Sequence, residues 1–150
     1  MDFIDILKII IISMSPFLEL RGSIPYGIAT GMNYPLVILI SIVFNSLVFF
    51  PVYFGLEFFY HNFFSRFKIV RRIIQRTKKK GSKYVERYKI LGIAIFVAIP
   101  LPFSGAYSGS ILAWLMSVDW KKAYLAVLMG VCGAALIVSS ASLGIFSLIK

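Results

Sequence analysis

From Gly22 to Leu56 the chain runs 35 residues without a charged side chain. It does so again for 29 residues from Ile90 to Val118 and for 27 from Ala123 to Ile149. A helix rises about 1.5 Å per residue, so roughly 20 apolar residues cross a hydrocarbon core about 30 Å thick. Tyr34–Phe58 and Ala123–Ser147 are each long enough to span. Each begins after an interfacial signal, Asn33-Tyr34-Pro35 in one case and Asp119-Trp120-Lys121-Lys122 in the other. Tyr and Trp favour the headgroup level, and Pro is tolerated in a first helical turn. Composition agrees with a membrane protein: 59% of residues are hydrophobic and 15% charged, where soluble domains sit near half and about a quarter.

Charge is almost confined to one place. Of 16 Lys and Arg, eleven lie between Arg66 and Lys89 beside a single acid, Glu86. That belt carries the whole net charge of +10, and the other 126 residues sum to zero. This distribution argues against a soluble nucleic-acid binder, a secreted disulfide scaffold and a disordered tail. Positive charge collects in cytoplasmic loops. Residues 61–87 are therefore expected to be a cytoplasmic connection between repeat 1 (1–60) and repeat 2 (88–150) of a single multi-pass domain in the cell membrane. Phe63, Phe67, Val70 and Ile74 fall at helical spacing, with Arg66, Arg71, Arg72 and Gln75 largely elsewhere on the wheel. That spacing predicts an amphipathic interfacial helix. Arg66, Lys68, Arg71, Arg72, Lys78, Lys79 and Lys80 are its expected contacts with anionic lipid, each cation being worth about 1 kcal/mol near the surface. The basic face lacks the aromatic interleaving that nucleic acid would call for. Cys132 and His61 are each the sole residue of their type, so no disulfide, metal site or cofactor is expected. The first charges, Asp2 and Asp5, are acidic where a cleaved signal peptide would be basic.

Two apolar stretches are too short to cross. Phe3–Met14 stops at Ser15-Pro16, and Tyr88–Ile99 stops at Pro100-Leu101-Pro102. Twelve helical residues reach only about 18 Å. Each is followed by a stretch rich in Gly, Pro and Ser, Glu19–Gly27 or Phe103–Ser110. Pro16, Pro100 and Pro102 are read as hairpin breaks, because backbone interrupted at membrane depth must be buried in protein or line a cavity. The two halves follow the same order. An offset of 86 lays Pro16-Phe17 on Pro102-Phe103, Asn33-Tyr34 on Asp119-Trp120 and Leu39 on Leu125. The expected fold class is an all-α integral membrane protein of two inverted repeats. Each repeat is a re-entrant (broken) helical hairpin followed by a transmembrane helix, and the basic amphipathic loop joins them. Two topologies fit. If the short segments dip in and return, the basic loop and Lys121-Lys122 share the cytoplasmic face and both termini lie outside. If each broken helix crosses, four spans put both termini inside and Lys121-Lys122 outside. The positive-inside rule favours the first. Two full spans make a small bundle, so a homodimer is a further expectation.

Glu19-Leu20-Arg21-Gly22-Ser23-Ile24-Pro25 places an acid and a base where the chain is inside the membrane. Charges at that depth are costly and face a cavity or one another. They are read as a substrate or proton site, or as a buried Glu19–Arg21 pair that fixes the hairpin. The counterpart segment runs Pro100-Leu101-Pro102-Phe103-Ser104-Gly105-Ala106-Tyr107-Ser108-Gly109-Ser110. Its pairs Ser104/Ser108 and Gly105/Gly109 let helices approach closely, while Ser104, Tyr107, Ser108 and Ser110 bring more hydroxyls than packing requires. If the hairpin tips meet near the midplane, helix N-termini there supply free N–H groups and partial positive charge. Glu19 would sit in one such field. The offset sets Tyr107 opposite Arg21, where its ring or hydroxyl would face the guanidinium. The expected site comprises Glu19, Arg21, Ser23, Pro25, Asn45, Ser104, Gly105, Tyr107, Ser108 and Gly109. A protonated Glu19 leaves it more positive still, so that binding and proton release would be coupled. Asn45 and Ser46, midway along the first span, are read as interhelical hydrogen-bond formers and secondarily as cavity contacts. Pro51 predicts a kink there, and Glu57, at the span's end, reads as ordinary solvated charge. Gly130, Gly133, Ala134 and Ala135 give the last span a small face for close packing.

The motifs Glu19–Pro25 and Pro100–Gly109 resemble the paired signatures of the small multidrug export protein family. The resemblance covers nearly the whole chain, including its size and central basic loop. More distantly, the paired broken segments look like the DedA/VTT membrane proteins, in which two re-entrant loops face each other. Larger members of that family are associated with proton-dependent transport and with lipid scrambling or flipping. Where the DedA pattern carries arginine in the second Pro-rich motif, this chain has none, and Tyr107 stands nearby. The resemblance implies a secondary transporter or exporter of small molecules, coupled to protons or another ion. The alternatives are a lipid scramblase or lipid-carrier flippase using the same hairpins, and a membrane assembly protein that transports nothing. No nucleophile–base constellation is present, so an enzyme is not expected.

Overall fold

The computed structural model describes residues 3–62, 83–101 and 104–149. The amphipathic helix expected around 63–75, the basic residues from Arg66 to Lys80, and Pro102 lie outside the described residues. The described chain is helical, without strands: α1 Phe3–Met14, α2 Glu19–Ala29, α3 Tyr34–Leu47, α4 Phe49–Asn62, α5 Lys83–Ala98, α6 Ala106–Leu115 and α7 Trp120–Ile149.

Prolines set the breaks. α1 ends ahead of Pro16 and α5 ahead of Pro100, as the restricted conformation of the residue before proline requires. Each short helix then folds back on the next. A Cβ on Gly22 would lie 3.2 Å from the Ile12 side chain, and one on Gly27 would lie 3.2 Å from Ile9. In the other half Val97 fills the place of a side chain at Gly109. Contacts equidistant from a break mean antiparallel helices. α3 and α4 continue one rod, interrupted at Val48. Pro51 lacks the N–H that would bond the Leu47 carbonyl four residues earlier, which accounts for the expected irregularity. Tyr34–Tyr60 and Trp120–Ile145 are long and apolar enough to cross a membrane.

The turn from α2 into α3 recurs, bond for bond, from α6 into α7. Gly31 (φ 72°) and Ser117 (φ 52°) are both left-handed. The Met32 N–H bonds the Gly27 carbonyl at 3.0 Å, and the Gly31 N–H bonds that of Ile28 at 3.1 Å. Eighty-six positions on, the Val118 N–H bonds the Ala113 carbonyl at 3.1 Å, and the Ser117 N–H bonds that of Trp114 at 2.9 Å. This closure ends a helix by satisfying its last carbonyls, and glycine adopts the required conformation at least cost.

The core lies where α2, α5 and α6 meet α7, with Leu20, Ile24, Ile93, Val97, Ala113, Val127 and Val131 buried. Small residues set the spacing. A Cβ on Gly130 would come 2.5 Å from the Val97 side chain and 2.7 Å from the Ala94 carbonyl oxygen, and one on Gly133 would come 3.0 Å from Ala98. That is the small face expected of α7, turned against α5. Conversely, Phe3, Ile11, Phe17, Leu39, Phe58, Leu125 and Leu136 are all more than half exposed. Water-facing surfaces rarely carry so much apolar area, whereas lipid accepts it.

The repeated turn makes a test. A left-handed residue other than glycine costs roughly 1–2 kcal/mol. Ser117→Gly is expected to stabilise by about 1 kcal/mol and Gly31→Ser to destabilise by a similar amount, as opposite shifts of the unfolding midpoint in detergent.

Candidate functional site

Two charged side chains of the first half engage the broken helix of the second. Glu19 opens α2 in a left-handed backbone conformation (φ 50°), a strained choice for a side chain of its size. It is buried, with 6% of its surface exposed. Its carboxylate accepts the N–H of Ala106 at 3.3 Å and of Tyr107 at 3.4 Å. Those residues begin α6, where N–H groups lack helical partners and the helix dipole favours negative charge. Gly105 makes the seat, because a Cβ there would fall on the Glu19 carboxylate.

Arg21 reaches the end of α5 instead. Its guanidinium donates to the carbonyls of Leu101, of Ile99 at 3.1 Å and of Ser104 at 3.0 Å, and to Ser104 Oγ at 3.1 Å. A chain ending in a Pro-containing break leaves carbonyls without helical donors, and a cation there is favourable. Ser104 Oγ itself donates to the Ile99 carbonyl at 2.6 Å. The exchange is reciprocal. Tyr107 Oη donates to the carbonyl of Met14 at 2.6 Å, and Met14 is the last residue of α1. Arg21 thus closes the broken end of α5, and Tyr107, 86 residues later, closes that of α1.

Two expectations differ from this geometry. Glu19 and Arg21 form no ion pair with each other; among the described residues the ion pairs are Lys8–Asp5 and Lys122–Glu86. Side chains two apart on a helix do not face each other, so one reaches a helix start and the other a helix end. Tyr107 does not turn its hydroxyl to the guanidinium, because Met14 takes it.

A cavity of about 200 Å³ opens beside these groups, lined by Pro16, Phe17, Glu19, Arg21, Gly105, Tyr107, Ser108 and Ile111. Glu19, Arg21 and Asn45 also border a second void too small for a water molecule. There Arg21 Nε and Asn45 Oδ1 are buried without a partner, although the Asn45 amide donates to the Ser13 carbonyl at 3.1 Å. Buried polar groups are almost always paired, so a donor and an acceptor left open around one void are unusual. Ser108 lines the cavity, whereas Ser23, Pro25 and Gly109 do not. Ser23 bonds Ser41 at 2.7 Å across α2 and α3, Pro25 lies inside α2, and Gly109 receives Val97. Ser46 bonds Val43 of its own helix at 2.9 Å.

Glu57 was expected to be a solvated charge. It accepts the indole N–H of Trp114 at 2.7 Å and lines another cavity, of about 370 Å³. A signal for it stands in the sequence: Tyr53, Glu57 and Tyr60 recur at i, i+4 and i+7, one face of a helix. Among the described residues no group of His, Cys, Asp and Glu could hold a metal ion.

The family described as "Putative small multi-drug export protein" matches residues 19–137. The match begins at Glu19 and runs through both motifs, so the chain belongs to this family. No curated protein and no solved structure matches the chain. An export family and two helices able to span a membrane mark a membrane protein with a transporter-like role. The comparisons do not show the expected likeness to the DedA/VTT proteins.

The seat of Glu19 can be tested by overfilling it. Gly105→Ala is expected to destabilise by about 1–3 kcal/mol, the usual cost of overpacking. In a Glu19→Ala background the same change should cost clearly less, a non-additivity read from thermal unfolding of the four variants.

Proposed function

We propose that the chain is a proton- or ion-coupled secondary exporter of small molecules, with its site where two re-entrant hairpins of an inverted repeat face each other. The observation that carries this reading is the cavity onto which both Glu19 and Arg21 open while they hold the two ends of the opposing break. The repeat draws support from the matched turns and from the reciprocal bonds of Arg21 and Tyr107. The hairpin topology draws support from Lys122, which bonds Glu86 at 2.9 Å. That bond puts the start of α7 beside the start of α5 and the basic belt, whereas four full spans would place Lys121-Lys122 on the opposite face.

The chemistry follows from weak tethering. The Ala106 and Tyr107 bonds to Glu19, at 3.3 and 3.4 Å, exceed the usual length for N–H···O contacts. Protonation removes the charge that holds them. Two amides at a helix N-terminus then become available to an anionic group, and Arg21 supplies the countercharge. Release of the anion and loss of the Glu19 proton to water restore the carboxylate and its bonds to the two amides. The open Arg21 Nε and Asn45 Oδ1 offer a second arrangement in which the guanidinium turns toward α3 as its hold on α5 loosens.

A lipid scramblase or flippase, as in the DedA/VTT proteins, is the second reading. One observation favours it: Phe17, at the cavity wall, is 84% exposed, so a headgroup has a sideways entrance from the bilayer.

Reconstitution in liposomes tests both. Gln keeps an acceptor for the α6 amides, so Glu19→Gln is expected to fold, and folding is checked by size exclusion. Wild type should show solute-linked proton movement under a pH gradient, read with an internal pH dye, and the variant should lose it. Unaltered coupling in Glu19→Gln contradicts the exporter reading. Lipid movement that needs no gradient, read with a labelled phospholipid, replaces it with the second. Activity of neither kind, in wild type as in variant, leaves an assembly role.

A further inference from the structure

The cavity of about 370 Å³ at the far end of the first span is walled by aromatic rings. Tyr53, Phe54 and Tyr60 come from α4, Trp114 from α6 and Trp120 from α7, and the carboxylates of Glu57 and Asp119 border it. The rings stand at steep angles. Tyr60 and Trp114 meet at 69° with centroids 5.6 Å apart, Tyr53 and Phe54 at 79°, and Phe54 and Trp120 at 55°. Such rings make adjoining walls rather than a stack. Aromatic faces attract a cation within about 6 Å of the ring centre, most strongly when water is excluded. One of these faces already takes a cation, since Lys121 Nζ lies 5.6 Å from the Trp120 ring.

The polar groups are arranged to leave negative charge toward the space. The Trp114 indole N–H bonds Glu57 Oε2 at 2.7 Å, which fixes both side chains and leaves the other carboxylate oxygen for a ligand. Tyr53 Oη is committed to the Val118 carbonyl at 2.7 Å, so the ring is what Tyr53 presents. Asp119 Oδ1 receives the Lys121 N–H at 3.4 Å, a long bond that leaves most of its accepting capacity unused. The neighbouring Lys122 is engaged by Glu86. A helix-to-helix tie alone would need none of this. At the 86-residue offset, Glu57 corresponds to Leu143 and Trp114 to Ile28, and the same turn forms there beside apolar residues.

We infer that this cavity binds an organic cation bearing a substituted ammonium group, either a free solute or the choline-type headgroup of a lipid. Aromatic faces and the Glu57 and Asp119 carboxylates hold it. The site is separate from the Glu19 cavity, and binding here stands or falls without regard to transport.

The chain has two tryptophans, and both line this cavity, so intrinsic fluorescence reports on it directly. Choline chloride, titrated into the purified protein in detergent, is expected to give a saturable change in emission, and its neutral isostere dimethylbutanol none. Glu57→Gln retains an acceptor for the indole, and Asp119→Asn retains one for the start of α7. Each is expected to weaken the midpoint about tenfold through loss of one charge. Nanodiscs separate the two sources. A midpoint raised in phosphatidylcholine relative to phosphatidylglycerol means that the lipid headgroup competes for the site; equal midpoints mean a free cation. Both results support the proposal. An equal response to the neutral isostere, a change that never saturates, or unchanged midpoints in both folded variants overturns it.

Discussion

A broken helix leaves amides and carbonyls at its ends without helical partners, each costing several kcal/mol if it is buried and left open. The arrangement of this chain follows from that constraint. Glu19 answers the amides at the start of α6, Arg21 answers the carbonyls at the end of α5, and Tyr107 answers the last carbonyl of α1. None of these partners lies in its own half. Each half supplies what the breaks of the other lack, which concentrates these charged and hydroxyl groups at the interface between the halves.

The exchange is not symmetric in charge. Arg21 brings a cation with several donors to one broken end, and Tyr107 brings a single hydroxyl to the other. Glu19 adds an acid on the same side as the cation. A purely structural brace could be neutral in both halves, as Tyr107 is. Placing both charges in one half, next to a cavity, is what links the brace to the proposed transport. It also leaves Arg21 Nε and Asn45 Oδ1 unpaired, a mismatch that a fixed brace would have no reason to keep.

Much of the fold was legible because hydropathy and proline act locally. α3 and α7 begin at Tyr34 and Trp120, beside the polar-aromatic corners, and α1 ends at Met14 before its proline. α5 begins earlier than the expected Tyr88, at Lys83, because an apolar stretch marks the membrane limit of a helix and not its end. Lys83, Glu86 and Arg87 continue it into the basic belt. The site was only half legible. A buried acid and base announce themselves in a chain with so few charges, but their targets are backbone groups, which every residue carries and no motif records. A Glu19–Arg21 pair is one of the two readings the residues allow, and their spacing of two on a helix speaks against it. Glu57 was hidden for another reason: its partner Trp114 lies 57 positions away, on a helix whose approach only the folded chain reveals.

The central claim is that the Glu19 carboxylate holds the first amides of α6. Hydrogen exchange of the Ala106 and Tyr107 amides, followed by NMR in detergent micelles, measures that hold directly. In a folded Glu19→Ala variant these two amides should exchange about tenfold faster, the equivalent of one hydrogen bond, while those of α7 keep their rates. Unchanged exchange at Ala106 and Tyr107 would contradict the account.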